Sequence, residues 1–190
     1  MRDFKNFRPL DEIESRIIHT TLNQLSSNIT LFIENKSLKL FCSVLIQDGR
    51  QLVYLISEKL QKIIHNFQNN VSITSAGLYL GFLSRNTFFL SLEGAEFFLK
   101  EKLIPDQRIF NVTNKAEKAI LYGNPIIKRM ILNCPSDLKK NAILLVLNES
   151  REIIALARSE MDYGNFKLLD QNDLVAINLN DKGYYLRRKQ

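Results

Sequence analysis

The chain has 190 residues, 45% of them hydrophobic and 24% charged, with only 7 Gly and 4 Pro, which excludes wholesale disorder, a collagen-like repeat and low complexity. The length admits one large domain or two small ones, each able to bury a modest core. Twenty-six Lys and Arg against 20 Asp and Glu leave a charge of +6 and a pI near 9.3, a mild electrostatic bias toward polyanions.

From Pro9 to Leu25, Ile13, Ile17, Ile18, Leu22 and Leu25 recur at helical spacing, and Asp11, Glu12 and Glu14 occupy the first turn, where the helix dipole favours acids. Two β-rich stretches follow, ITLFIE and SLKLFCSVLI. The turn dipeptide Asp48-Gly49 then leads into RQLVYLIS, a hairpin signal. Ser57 can cap a second helix, SEKLQKIIHNF, with Leu60, Ile63, Ile64 and Phe67 on one side. Gly77–Leu83 and Thr87–Leu92 read as another hairpin around Ser84, Arg85 and Asn86, and Glu93–Lys102 as a short helix. Antiparallel strands mixed with helices, without regular βαβ alternation, predict an α+β fold.

Pro105 and Asp106 break this pattern, and a domain boundary is expected near residue 104. Short strands are predicted near Arg108–Val112, Ile126–Leu132, Ala142–Leu147, Glu152–Arg158, Leu174–Leu179 and Tyr184–Arg188, interrupted by one helix, Lys115–Tyr122. Such a series suggests a small barrel or sandwich. The first 104 residues hold 12 basic and 10 acidic residues (+2), the remainder 14 and 10 (+4). Lys182, Arg187, Arg188 and Lys189 fall within the last nine positions.

The N-terminal MRDFKNFRPLDE lacks the apolar core of a signal peptide, and the longest apolar run, Ala142–Leu147, is far short of the roughly 20 residues that cross a bilayer. A soluble, cytoplasmic protein with no membrane partner is expected. Cys42 and Cys134 are too few for a zinc cage or a disulfide scaffold and suit a reducing interior. His19 and His65 lie beside apolar helix residues without a ligand or a carboxylate at useful spacing, so both read as packing or half-exposed residues. Glu12 with Glu14, and Asp170 with Asp173, read as helix-start and turn chemistry. Phosphate loops, dinucleotide fingerprints, zinc-protease, nucleophile-elbow and deaminase motifs are missing from the sequence. No catalytic residue, metal or cofactor is therefore expected.

Three local features point to nucleic acid. In GYYLRRK, a strand period of two with Leu186 inward would put Tyr185, Arg187 and Lys189 on one face, an aromatic between two cations. Such a face can stack a base and hold phosphates, though a solvated edge strand has the same pattern. In LYGNPIIKRMI a helix ends at Gly123, permissive both for a left-handed cap and for close approach by a ligand, and Lys128 and Arg129 follow. Lys115 and Lys118 lie on that helix.

The stretches RPLDEIESR, VYLISEKLQK, GLYLGFL, AILYGNPIIK and GYYLRR run in order along nearly the whole chain. Together they resemble the Nip-seven type of large-ribosomal-subunit biogenesis protein, in its archaeal form. The resemblance implies an N-terminal α/β pre-PUA domain (residues 1–104), an antiparallel sheet with helices, followed by a C-terminal PUA pseudo-β-barrel (residues 105–190). It also implies a non-enzymatic factor for precursor-rRNA processing and large-subunit assembly, binding single-stranded, uridine-rich RNA. The implied partners are RNA, the pre-ribosomal large subunit, and the exosome or other assembly factors; a eukaryotic relative would be nucleolar. Carried over by position, the RNA-binding residues are Gly123, Asn124 and Lys128 in the turn and Tyr185 and Arg187 at the end. Lys118, Arg129, Arg158, Arg188 and Lys189 join them on charge and predicted placement. The first domain, with little net charge, is expected to dock protein or to orient the second. Two rivals stand beside this: a PUA-containing RNA-modification enzyme or its substrate-holding subunit, and a pure protein-interaction scaffold.

Overall fold

The computed structural model describes residues 7–47, 49–67 and 71–187. The chain divides into two compact units, residues 1–103 and 104–190.

The first unit is a five-stranded antiparallel meander with helices on both faces. Its strands are β1 (Phe7–Pro9), β2 (Lys39–Gln47), β3 (Arg50–Ile56), β4 (Leu78–Ser84) and β5 (Thr87–Leu90), side by side in chain order. Its helices are α1 (Glu12–Leu25), α2 (Ser27–Asn35), α3 (Glu58–Phe67) and α4 (Leu92–Lys100).

The start of α1 is a reciprocal cap. Asp11 accepts from the Glu14 N–H at 2.8 Å, and Glu14 accepts from the Asp11 N–H at 2.9 Å. Arg8 on β1 donates to both Glu14 oxygens at 2.8 and 2.7 Å, and the Gln51 amide adds a bond at 2.9 Å. These donors, the arginine first, outweigh the cost of burial and hold the Glu14 carboxyl down at about 2. Glu14 is thus helix-start chemistry.

ITLFIE, expected as a strand, belongs to α2. Ser26 caps it by accepting from the Asn28 N–H, and Ile29 and Ile33, four residues apart, are both buried. Burying that one helical stripe outweighs the β preference of its branched residues. Ser57 caps α3 by accepting from the Leu60 N–H at 3.3 Å. Its apolar side divides, however. Ile64 is buried and Leu60 packs beside it, while Ile63 and Phe67 are 45% and 54% exposed. Asp48 of the β2–β3 turn lies outside the described residues; Gly49, at φ +71°, supplies the left-handed backbone that the turn needs. The β4–β5 turn puts Arg85 and Asn86 at φ 47° and 59°, a twist that suits a two-residue hairpin.

Each face of this sheet has its own core. Cys42 pairs with Val53, and both are buried on the side where Gln51 meets Glu14 of α1. On the other side Phe7, Phe41, Tyr54 and Ile56 pack against Ile64 of α3.

The second unit is a six-stranded, barrel-like sheet in the order β7-β11-β10-β9-β6-β8, all antiparallel except β6 with β9. The strands are β6 (Ile109–Val112), β7 (Ile126–Ile127), β8 (Ile131–Asn133), β9 (Ile143–Leu147), β10 (Ile153–Ser159) and β11 (Leu174–Asp181). The helices are α5 (Asn114–Leu121), α6 (Tyr163–Leu168) and the single turn α7 (Tyr184–Arg187). Phe110, Val146, Ile154 and Val175 of the strands and Ile120 of α5 share one core.

Three expectations change here. The strand expected over Ile126–Leu132 is broken by a 3-10 turn, Lys128–Met130, whose first N–H groups bond outward to the Asp173 and Gln171 carbonyls. Residues 163–168 form a helix that the periodicity did not predict. The expected last strand, Tyr184–Arg188, is instead the helical turn α7, because β11 already runs on to Asp181 and Gly183 begins a new turn. Among the described residues, no helix is long and apolar enough to cross a membrane.

Candidate nucleic-acid interface

The site is built at the C-terminal end of α5. Thr113 caps the start of this helix, accepting from the Ala116 N–H at 3.2 Å, and Glu149 holds Asn114 through its backbone and side-chain amides at 3.0 and 2.9 Å. At the other end Gly123, at φ +85°, lets the chain turn so that its own N–H reaches the Ile120 carbonyl and the Asn124 N–H reaches Ala119. These bonds satisfy two of the helix's terminal carbonyls but not that of Leu121.

Arg187 takes that carbonyl. Its guanidinium donates to the Leu121 oxygen and, with both arms at 2.8 Å, to the Asp181 carboxylate, which is almost fully buried. Asp181 raises the pKa of Arg187 further by hydrogen bonding to its charged form. Two glycines make the contact sterically feasible. A Cβ on Gly183 would lie 1.9 Å from the Leu121 oxygen, and one on Gly123 would lie 3.1 Å from Arg187 Nη2. The α7 turn is therefore clamped to the end of α5.

Beside the clamp lies an open groove of about 650 Å³, walled by Asn114, Glu117, Lys118, Leu121 and Tyr122 of α5 and its cap, and by Lys182, Gly183 and Arg187. Lys118 and Lys182 are exposed, and Tyr122 is 63% exposed. The Glu117 carboxylate on the α5 wall accepts from the Asn148 amide at 3.3 Å. The groove thus combines an accessible ring with two exposed cations, a pattern that engages bases and phosphates together.

The candidate residues are unevenly gathered. Lys118 and Arg187 line the groove, Gly123 backs Arg187, and Asn124 is exposed in the same turn. The strand face expected for Tyr185 and Arg187 does not form, because both sit in the α7 turn and a helical period replaces the period of two. Arg187 is engaged by Asp181 rather than presented to solvent as one of a cationic row. Arg188 and Lys189 lie outside the described residues.

Lys128 and Arg129 occupy the 3-10 turn, away from the groove lining. The Lys128 ammonium donates to the Lys167 and Leu169 carbonyls at the end of α6 and lies 5.6 Å from the Phe166 ring centroid, so it also serves as a helix C-cap. Arg158 is exposed on β10 and pairs with Glu160 at 3.3 Å.

Sequence reasoning did not name Tyr122 or Gly183, which line the groove, and counted Lys182 only as part of a basic tail. The signal for Tyr122 was its place directly before the helix-ending glycine, which leaves a C-cap side chain exposed.

Groups that could do covalent chemistry are quiet. Burial pushes the Cys42 and Cys134 thiols up to about 11, so both stay protonated at neutral pH. His19 Nδ1 lies 3.4 Å from the Thr30 hydroxyl, bridging α1 to α2. Asp173 accepts from the Asp170 N–H at 2.8 Å, a turn contact. Among the described residues, no group of three or more His, Cys, Asp or Glu could hold a metal ion.

Comparison with known proteins places both units. The family model "NIP7/UPF0113, pre-PUA domain" matches residues 7–92, and "UPF0113 PUA domain" matches residues 108–190. The chain is 26% identical over 149 residues to the UPF0113 protein of Archaeoglobus fulgidus, covering 78% of this chain and 80% of that one. It is also 26% identical over 121 residues to the tRNA-guanine(15) transglycosylase of Methanosphaera stadtmanae, covering 64% of this chain but 17% of that protein. In fold it is similar to a conserved PUA domain protein from Thermoplasma acidophilum, with a TM-score of 0.62 and 17% identity, covering 96% of this chain and 98% of that one. The chain thus belongs to the NIP7/UPF0113 type, a pre-PUA domain followed by a PUA domain, and these domains indicate RNA binding.

Proposed function

We propose that this protein is a non-catalytic RNA-binding factor in precursor-rRNA processing and large-subunit biogenesis, and that it holds single-stranded, uridine-rich RNA in the α5 groove. The observation that supports this is the groove itself. Tyr122 offers a stacking surface, while Lys118 and Lys182 on its two walls can neutralise backbone phosphates and release their counterions. Gly123 and Asn124 keep the turn beside the groove low enough for a backbone to approach. Arg187 acts by positioning: clamped between Asp181 and the Leu121 carbonyl, it fixes the wall that carries Lys182. Lys128, Arg129 and Arg158 would extend a diffuse basic surface outside the groove; Arg188 and Lys189, proposed as RNA contacts on their charge, lie outside the described residues. The proposed location is cytoplasmic, in an archaeal cell, and the proposed partner is the pre-ribosomal large subunit.

The test is a titration of the intact protein with single-stranded oligouridine and with duplex DNA at two salt concentrations. About four neutralised phosphates give a log–log salt slope of roughly −3 on single strands. Preference for the single strand with such a slope supports the reading, and equal or absent binding defeats it. One observation favours a second reading, a substrate-holding role in RNA modification: the partial likeness to the transglycosylase. Co-purification of a modifying enzyme whose activity on RNA requires this chain would favour that alternative.

A further inference from the structure

Among the described residues, α3 and its neighbours cover only part of one face of the first unit's sheet. Phe7, Phe41, Tyr54 and Ile56 lie under Ile64 of α3, but the same face continues across β3, β4 and β5 beyond them. Leu52 pairs with Phe82, and Phe82 with Phe89, so these three side chains form one row across adjacent strands. Phe82 and Phe89 are stacked, with centroids 4.9 Å apart and planes 15° apart. The Arg50 guanidinium lies 4.7 Å from the Phe82 centroid, from the β3 side. Arginine, ring and ring thus follow one another toward the sheet edge, where Phe89 is 40% exposed.

Two residues along each strand runs a second, polar row. Thr87 pairs with Ser84, and the Gln51–Leu83 and Leu52–Phe82 pairs bring Arg50 beside Ser84. The two rows are about 7 Å apart on the same face, within the span of one nucleotide. Neither row contains an acidic residue.

We propose that this face is a second contact for single-stranded RNA, with a base stacked on Phe89 and its backbone crossing the Arg50–Ser84–Thr87 row. The proposal rests on the reading that the protein binds RNA and adds a contact remote in sequence from the α5 groove. An aromatic row flanked by hydroxyls and a guanidinium matches a nucleotide, with its apolar face and anionic edge. A protein partner is a poorer match. Two rings and a leucine fall far short of the roughly 800 Å² per side of a stable protein interface, and the four-residue edge strand β5 offers little ladder to an added strand.

The chain contains no tryptophan, so Phe89→Trp introduces a single indole at the proposed stack. Titrating the full-length Phe89→Trp protein with oligouridine should quench its emission saturably, in parallel with binding. Phe89→Ser and Arg50→Gln should each weaken oligouridine binding roughly fivefold to tenfold. Unchanged emission and unchanged Phe89→Ser affinity, with binding still weakened by the Lys118→Ala/Lys182→Ala double variant, overturn the sheet contact and leave the groove reading standing. A wild-type protein that binds no oligouridine overturns both. Emission that shifts with protein concentration in the absence of RNA assigns the face to a second copy of the chain and also overturns the proposal.

Discussion

Each unit contains an arginine that grips a carboxylate with both arms, and the two clamps sit at opposite ends of a helix. In the first unit Arg8 holds Glu14 at the start of α1, where the helix dipole favours the carboxylate. In the second, Arg187 comes from the chain end to the last turn of α5, where the dipole favours the cation, and Asp181 anchors it from below. Glu14 is saturated by Arg8, Gln51 and the Asp11 N–H, and its clamp locks strand to helix. The Arg187 clamp instead leaves Lys118, Lys182 and Tyr122 standing around a groove. Two similar ion pairs therefore differ in what surrounds them, and the proposed RNA contact lies in those surroundings rather than in the pair.

The largest expected effect falls on the second clamp. Gly183→Ala would drive a methyl against the Leu121 carbonyl, 1.9 Å away, so backbone must move. A destabilisation of about 3 kcal/mol is expected, with a lower Tm in a thermal melt and weaker RNA binding together. Retained stability with retained binding would break the idea that close approach shapes the groove.

Glu14→Gln should cost about 2 kcal/mol, discounted from a fully buried pair because Arg8 is one-third exposed. The pH dependence carries a sign. The Glu14 pKa is lowered from 4.5 to about 2 on folding, so its stabilisation is complete above about pH 4.5 and is lost as pH falls through about 2. Chemical denaturation across that range should show a shallower acid limb for Glu14→Gln than for the wild type, while oligouridine affinity at neutral pH stays the same.

Asp181→Asn separates positioning from direct contact. It removes a negative charge and loosens Arg187. Were Arg187 a phosphate ligand, RNA binding would tighten; as a positioning residue it should yield a few-fold weaker binding and a lower Tm. Anisotropy titrations beside a melt decide between them.

The smallest effects belong to the individual lysines. Lys118→Ala and Lys182→Ala should each make the log–log salt slope shallower by about 0.7 on single-stranded RNA. An unchanged slope in both would place the phosphates elsewhere.

Much of the fold was legible in local pattern. The acidic first turn of α1, the Ser57 cap, the Arg85–Asn86 hairpin and the helix ending at Gly123 each depend on residues within a turn of one another. Where distant residues outvoted local preference, the reading failed: at α2, whose β-branched stretch buries a helical stripe, and at α7, where a strand-like sequence becomes a helical turn. The candidate site divided in the same way. Lys118 and Gly123 could be placed at the end of α5 because a helix and its glycine stop are local features. Arg187 was legible as a charge, but its contacts with Asp181 and Leu121 were not.

Composition and local pattern carry the α+β class, the Ser57 cap and the turns, the basic bias of the second half, and the family stretches that mark a pre-PUA and a PUA domain, because each rests on neighbours in the chain. That Arg187 is bound by Asp181 and Leu121, that Lys128 closes α6, and that Tyr122 and Lys182 line one groove depend on how the chain folds back on itself. A charged side chain takes the partners that folding brings within hydrogen-bonding distance, and Leu121 stands 66 residues from Arg187 along the chain.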